Sequence, residues 1–131
     1  MIDCENEVYT RIATVLRGEF SGIDISGVYV NAPSSFPHVS ITQSDNYVAK
    51  ENTTDTAEMV EVMFEINVYS NNKTTKKSEC KKIMKVIDGV FFSMNFRRMS
   101  LTPVPNLENA TIYRLVARYR VKTDGKFFYR S

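Results

Sequence analysis

Hydrophobic and polar positions alternate most strictly between Val60 and Tyr69, where Val60, Val62, Phe64, Ile66 and Val68 are separated by Glu61, Met63, Glu65, Asn67 and Tyr69. A period of two sends successive side chains to opposite faces, so this run predicts a β-strand with one face in the core. A second long run, Thr111 to Lys122, alternates Tyr113, Leu115, Ala117, Tyr119 and Val121 with Arg114, Arg118, Arg120 and Lys122. Asp124-Gly125 then signals a tight hairpin into Phe127 to Tyr129. Shorter strands are predicted at Val28 to Val30, at His38 to Ile41 after the proline-rich Ala32 to Pro37 turn, and at Phe96 to Leu101. Pro103-Val104-Pro105 follows as a rigid link, because each proline removes a ladder donor.

Helical spacing marks two other segments. Val8, Ile12, Val15 and Leu16 form one stripe, with Asp3 placed to cap it, Glu5 and Glu7 at the positive dipole end and Gly18 to Gly22 closing it. Cys80, Ile83, Met84, Ile87, Val90 and Phe91 form the second stripe, with Lys77, Lys81, Lys82 and Lys85 on the opposite face. Gln43 to Thr56 is polar and without a sustained period, which predicts a long loop, either an idle surface loop or one whose Tyr47 and Val48 anchor a neighbouring subunit or another partner surface. The resulting order is α-β-β-β-α-β-β-β. It predicts an α+β fold in one domain spanning residues 1–131: an antiparallel sheet, mixed at its edges, with two helices packed on one face.

Composition leaves this picture unchanged, since 43% apolar and 24% charged residues match an ordinary globular chain. No apolar run is long enough for a membrane span, and the N-terminus lacks a signal-peptide layout, so no membrane partner is expected. Cys4 and Cys80 do not form a disulfide or metal pattern and are expected to be reduced. Charge does change the picture. Residues 1–65 hold 3 basic and 11 acidic side chains, whereas residues 66–131 hold 14 basic and 4 acidic. Opposite halves of this kind attract either within one chain or between copies.

Catalytic equipment is sparse. His38 is the sole histidine, and at a strand start after Pro37 it reads as an ordinary surface residue. The five glycines match neither a phosphate-cradling loop nor a dinucleotide fingerprint. Glu61 and Glu65 share one strand face about 13 Å apart, too far for paired acid–base carboxylates. They suit cross-strand pairing with Arg114, Arg118 or Arg120 if the two long strands are neighbours. The lysine row with Arg97 and Arg98 reads as a solvated face, with a nucleic-acid surface as the alternative, and arginine beside Phe96 suits a protein interface. No cofactor, metal or enzymatic activity is expected.

The run Phe64-Glu65-Ile66-Asn67-Val68-Tyr69-Ser70-Asn71, a following helix and Asn95-Phe96-Arg97-Arg98 resemble the centre of the tail-terminator (tail-completion) proteins of long-tailed bacteriophages. Pro103-Val104-Pro105-Asn106-Leu107, Thr111-Ile112-Tyr113-Arg114 and Ala117-Arg118-Tyr119 are similar to the strands that close that domain. Asn95 departs from the glycine often found there, yet asparagine tolerates the left-handed turn. The resemblance implies a hexameric ring at the neck of the virion, assembled in the host cytoplasm. Such a ring ends growth of the tail tube and meets the tube protein and the head connector, with nucleic acid only passing through its channel. Residues expected to contact subunits or partners are Tyr47, Val48, Glu61, Met63, Glu65, Arg97, Arg98, Arg118 and Arg120. The alternatives are a head-completion or stopper protein of the connector and a small nucleic-acid-binding α+β domain.

Overall fold

A computed structural model describes residues 1–49, 59–107 and 109–130. Its elements follow the chain as α1 (Glu5–Glu19), β1 (Asp24–Ser26), β2 (His38–Val48), β3 (Val60–Ser70), α2 (Lys76–Ser93), β4 (Arg97–Pro103), β5 (Tyr113–Thr123) and β6 (Phe128–Tyr129). The strands form one sheet in the order β1-β2-β3-β5-β4, with β6 on β5. All pairings are antiparallel except β1 with β2, which is parallel. This is the α+β order expected, with the mixed pairing at an edge.

Local chemistry sets the helix ends. The Glu5 N–H donates to Asp3 Oδ1 at 3.1 Å, and the Phe20 N–H closes α1 on the Leu16 carbonyl at 2.8 Å. Before α2, Asn72 Oδ1 accepts the N–H groups of Thr74 and Thr75, each at 3.2 Å. After α2, Asn95 takes the left-handed conformation at φ 67° while the Phe96 N–H bonds back to the Phe91 carbonyl. Those bonds satisfy carbonyls that a helix end otherwise leaves open.

The core lies between the sheet and the two helices. Val8, Ile12 and Leu16 of α1 and the full stripe of α2 are buried there against Val60, Val62, Phe64, Ile66 and Val68. Phe91 stacks on Tyr119 with ring centroids 4.0 Å apart, and Phe64 and Phe96 meet it edge-on or tilted. Such aromatic contacts add roughly 0.5–1.5 kcal/mol each beyond burial.

Two expectations need correction. The strand before the proline-rich turn is Asp24–Ser26, and Val28 to Val30 is not a strand. Val28 and Tyr29 are exposed and offer no buried face; the Val28 carbonyl accepts the hydroxyls of Ser26 and Ser40 instead of a ladder N–H. Likewise β2 continues through Gln43 to Val48, so Tyr47 and Val48 belong to a strand. A bulge between Gln43 and Asp45 shifts the register there. One extra residue swaps the faces, which hides a single alternation from the sequence. The rest of the expected loop, residues 50–56, lies outside the described residues.

Candidate functional site on the outer face of the sheet

Register places the sheet's outer residues in rows, away from the helices. At one end His38, Tyr69 and Arg114 form a row, then Ser40, Asn67, Val116 and Thr102. Next come Thr42, Glu65, Arg118 and Ser100, then Asp45, Met63, Arg120 and Arg97, and finally Tyr47, Glu61, Lys122 and Tyr129.

The segment after β1 covers the first two rows. Tyr69 Oη donates to the Val30 carbonyl at 2.7 Å and Ser40 Oγ to the Val28 carbonyl at 2.6 Å. Asn67 is fully buried and accepts from Arg114 Nε at 2.8 Å, while the Arg114 guanidinium lies over the Tyr29 ring. Burying these polar groups is tolerated because each has a partner. Desolvation drives the Tyr69 phenol pKa well up, opposed by the nearby Arg114 charge.

His38 is buried at this end, contrary to the surface role expected for it. Its Nδ1 lies 2.8 Å from Asp24 Oδ2 and its Nε2 lies 3.1 Å from Ser26 Oγ. The connectivity is that of a hydrolase triad, yet the burial is inverted: the histidine side chain is 4% exposed and the aspartate 47%. A catalytic base must pass its proton to a leaving group. His38 instead lies tilted against the Tyr69 ring, with Ser26 Oγ also bonded to the Val28 carbonyl, and its two ring nitrogens tie β2 to Asp24 and Ser26 of β1. The alternation Ile23-Asp24-Ile25-Ser26, between Gly22 and Gly27, is the signal that could have located this strand.

The other rows lie outside that cover, although Glu61 is itself buried under its partners, and the expected contact residues gather on them. Tyr47 Oη donates to Glu61 Oε2 at 2.8 Å, and that hydrogen bond is the main reason the phenol pKa is raised. Arg120 Nε approaches Glu61 Oε1 to 2.7 Å, but its N–H is off the line of a hydrogen bond, so the contact is one of charge. Arg118 Nη2 pairs with Glu65 Oε1 at 2.8 Å. The Glu61 and Glu65 charges are therefore paired inside the chain. Met63 lies half-buried between them, and Arg97 sits beside Arg120 across β4 and β5.

Two of the nine expected residues are not on this face. Val48 aligns with Val60, whose side faces the helices, and is exposed at the rim. Arg98 aligns with Tyr119 and reaches Asp88 of α2 at 3.3 Å; the same carboxylate accepts Tyr119 Oη at 2.9 Å. The strand pair Arg97-Arg98 is thus split between two faces.

Burial pushes the Cys4 thiol up to about 11 and the Cys80 thiol up to about 12, so neither is a ready nucleophile at neutral pH. Among the described residues no cluster of histidine, cysteine and carboxylates is arranged to hold a metal, and no helix is long and apolar enough to cross a membrane. What the arrangement offers is a wide face of alternating charge.

The fold and this face define an α+β chain with two helices on one side of a mixed sheet and a charged, partly open surface on the other. A chain in the virion of a native gene transfer agent (GTA) particle shares this fold, with a TM-score of 0.51 at 15% identity, over 88% of this chain and 90% of that chain. No known family model and no curated protein matches the sequence.

Proposed function

We propose that this chain is a structural virion protein that caps a phage tail tube as a ring, ends tail growth and provides the surface that joins head to tail. The observation that carries the reading is the fold likeness, nearly end to end in both chains, to a chain of the GTA virion. The resemblance of residues 64–119 to tail terminators supports the finer role. The paired charges of the outer face fit work done by shape and complementarity. Electron microscopy of the purified protein with and without tail tubes tests it: rings should form and sit on tube ends, and tubes of fixed length should result. Bare tube ends at saturating protein would overturn the tail-capping role.

A nucleic-acid-binding role is the second reading, favoured by Lys77, Lys81, Lys82 and Lys85, all exposed along α2. It requires tight binding to short DNA that weakens steeply with salt. The capping role requires none.

A further inference from the structure

The outer-face carboxylates Glu61 and Glu65 are consumed by pairing within the chain, so the excess charge of each half must lie elsewhere. Part of it lies at the two edges of the sheet. Residues 1–37, which make α1 and edge strand β1, carry 2 basic and 5 acidic side chains, whereas residues 76–107, which make α2 and edge strand β4, carry 7 basic and 2 acidic. Because β1 and β4 end the same sheet on opposite sides, the charge polarity runs across the whole subunit.

Each edge also has a groove on the helix side. Between α2 and β4, Met84, Leu101 and Leu115 line a hollow of about 600 Å³ together with Lys81, Lys85 and Arg98. Between α1 and the end of β1, Tyr9 and Val28 line one of about 580 Å³ together with Asp3 and Glu5. The first combines apolar surface with cations and the second combines apolar surface with carboxylates. Asp88 offsets Arg98, which leaves Lys81, Lys82 and Lys85 as the cations of the first groove that have no carboxylate within ion-pair distance among the described residues. Leu101 and Val28 are large apolar side chains left in solvent, one at each groove.

We infer that the α2–β4 groove of one copy receives the α1–β1 edge of the next, so that copies join head to tail. Such a joint uses two different surfaces of every subunit, and repeated with a closing rotation it makes a ring. Opposite charges on the two surfaces also disfavour the wrong pairings, groove with groove and edge with edge, by like-charge repulsion. The inference rests on the ring-forming reading above and names the surfaces that reading requires.

Two double variants at exposed positions test it: Lys81→Glu with Lys85→Glu on the groove, and Asn6→Lys with Val28→Lys on the edge, where Asn6 of α1 and Val28 both line the acidic hollow. Molar mass by light scattering is measured against concentration, with thermal unfolding as the check that each variant is folded. The wild type should assemble, and less so at high salt. Each variant alone should unfold like the wild type, yet need roughly tenfold or more protein to assemble. Mixing the two variants should restore assembly in alternating order, because every second joint pairs an intact groove with an intact edge and the joints between pair a groove turned acidic with an edge turned basic. The neutral pair Lys81→Gln with Lys85→Gln should fall between.

A wild type that assembles while both variants assemble equally well would overturn the surfaces named here and leave the ring intact. Folded variants that fail to recover on mixing would overturn their complementarity. A wild type that stays monomeric at every concentration, and forms no rings on tubes, would overturn the ring reading together with this inference.

Discussion

The two faces of β3 are built from the same eleven residues by different physics. On the helix side Val60, Val62, Phe64, Ile66 and Val68 are buried by packing. On the other side Asn67 and Tyr69 are just as buried, but they are hydrogen-bonded beneath the segment that follows β1. Met63 and Glu65, two to six positions earlier on the same face, remain half-exposed because nothing in the described chain crosses them. Alternation therefore determines which way a side chain points, whereas its burial depends on what the rest of the chain lays over it. The open end is consequently where a second surface has room to bind.

The sharpest break in this comparison is Phe64→Ala. The ring is fully buried and touches Phe91 and Phe96, with centroids 6.1 and 5.8 Å away. Its removal loses transfer energy and leaves a cavity, which together should cost about 3 to 5 kcal/mol, a large part of the roughly 5 to 15 that a domain has. Chemical denaturation should show a lowered midpoint. An unchanged midpoint would mean that the helix-facing register of β3 is wrong.

That register could be read from the sequence because five apolar residues in strict alternation have few other solutions. The α2 stripe was equally plain, and all six of its predicted residues are buried. The Asn95 turn was anticipated from its residue type and occurs at φ 67°. Other parts were hidden for identifiable reasons. The bulge near Ser44 inverts the phase of β2 midway, so Gln43 to Val48 loses its period and reads as a loop. β1 is three residues long and draws its support from parallel pairing with β2, a contact that no local pattern announces. His38 reads as a surface residue in the sequence because its cover comes from tertiary partners, Asp24, Ser26 and Tyr69. As for the candidate face, residue type suggested Glu–Arg pairing, and the β3·β5 register supplied the partners.

A middle-sized effect is expected at the covered end. Tyr69→Phe keeps the ring and deletes only the hydroxyl that donates to the Val30 carbonyl. A carbonyl left without its partner should cost about 1 to 3 kcal/mol. The covering segment should also loosen, so limited proteolysis within residues 28–36 should speed up more than cleavage elsewhere. Equal cleavage rates in both proteins would show that Tyr69 does not hold this segment down.

The smallest effect belongs to the open end, where Glu65 and Arg118 pair at 2.8 Å with side chains 25% and 48% exposed. At that exposure, water and salt screen the attraction, and holding two long side chains together costs entropy. A double-mutant cycle on Glu65→Gln and Arg118→Gln should therefore return a coupling of only about 0.2 to 1 kcal/mol. It should shrink further at high salt, since the Debye length falls to about 3 Å at 1 M. Measured in the free subunit, this coupling also marks whether the pair acts within or between chains. A coupling that is absent in the monomer and emerges only on assembly would move these charges to an intersubunit joint. A small coupling that is the same in both states would leave the open face a charged surface whose own salt bridges are already satisfied before any partner arrives.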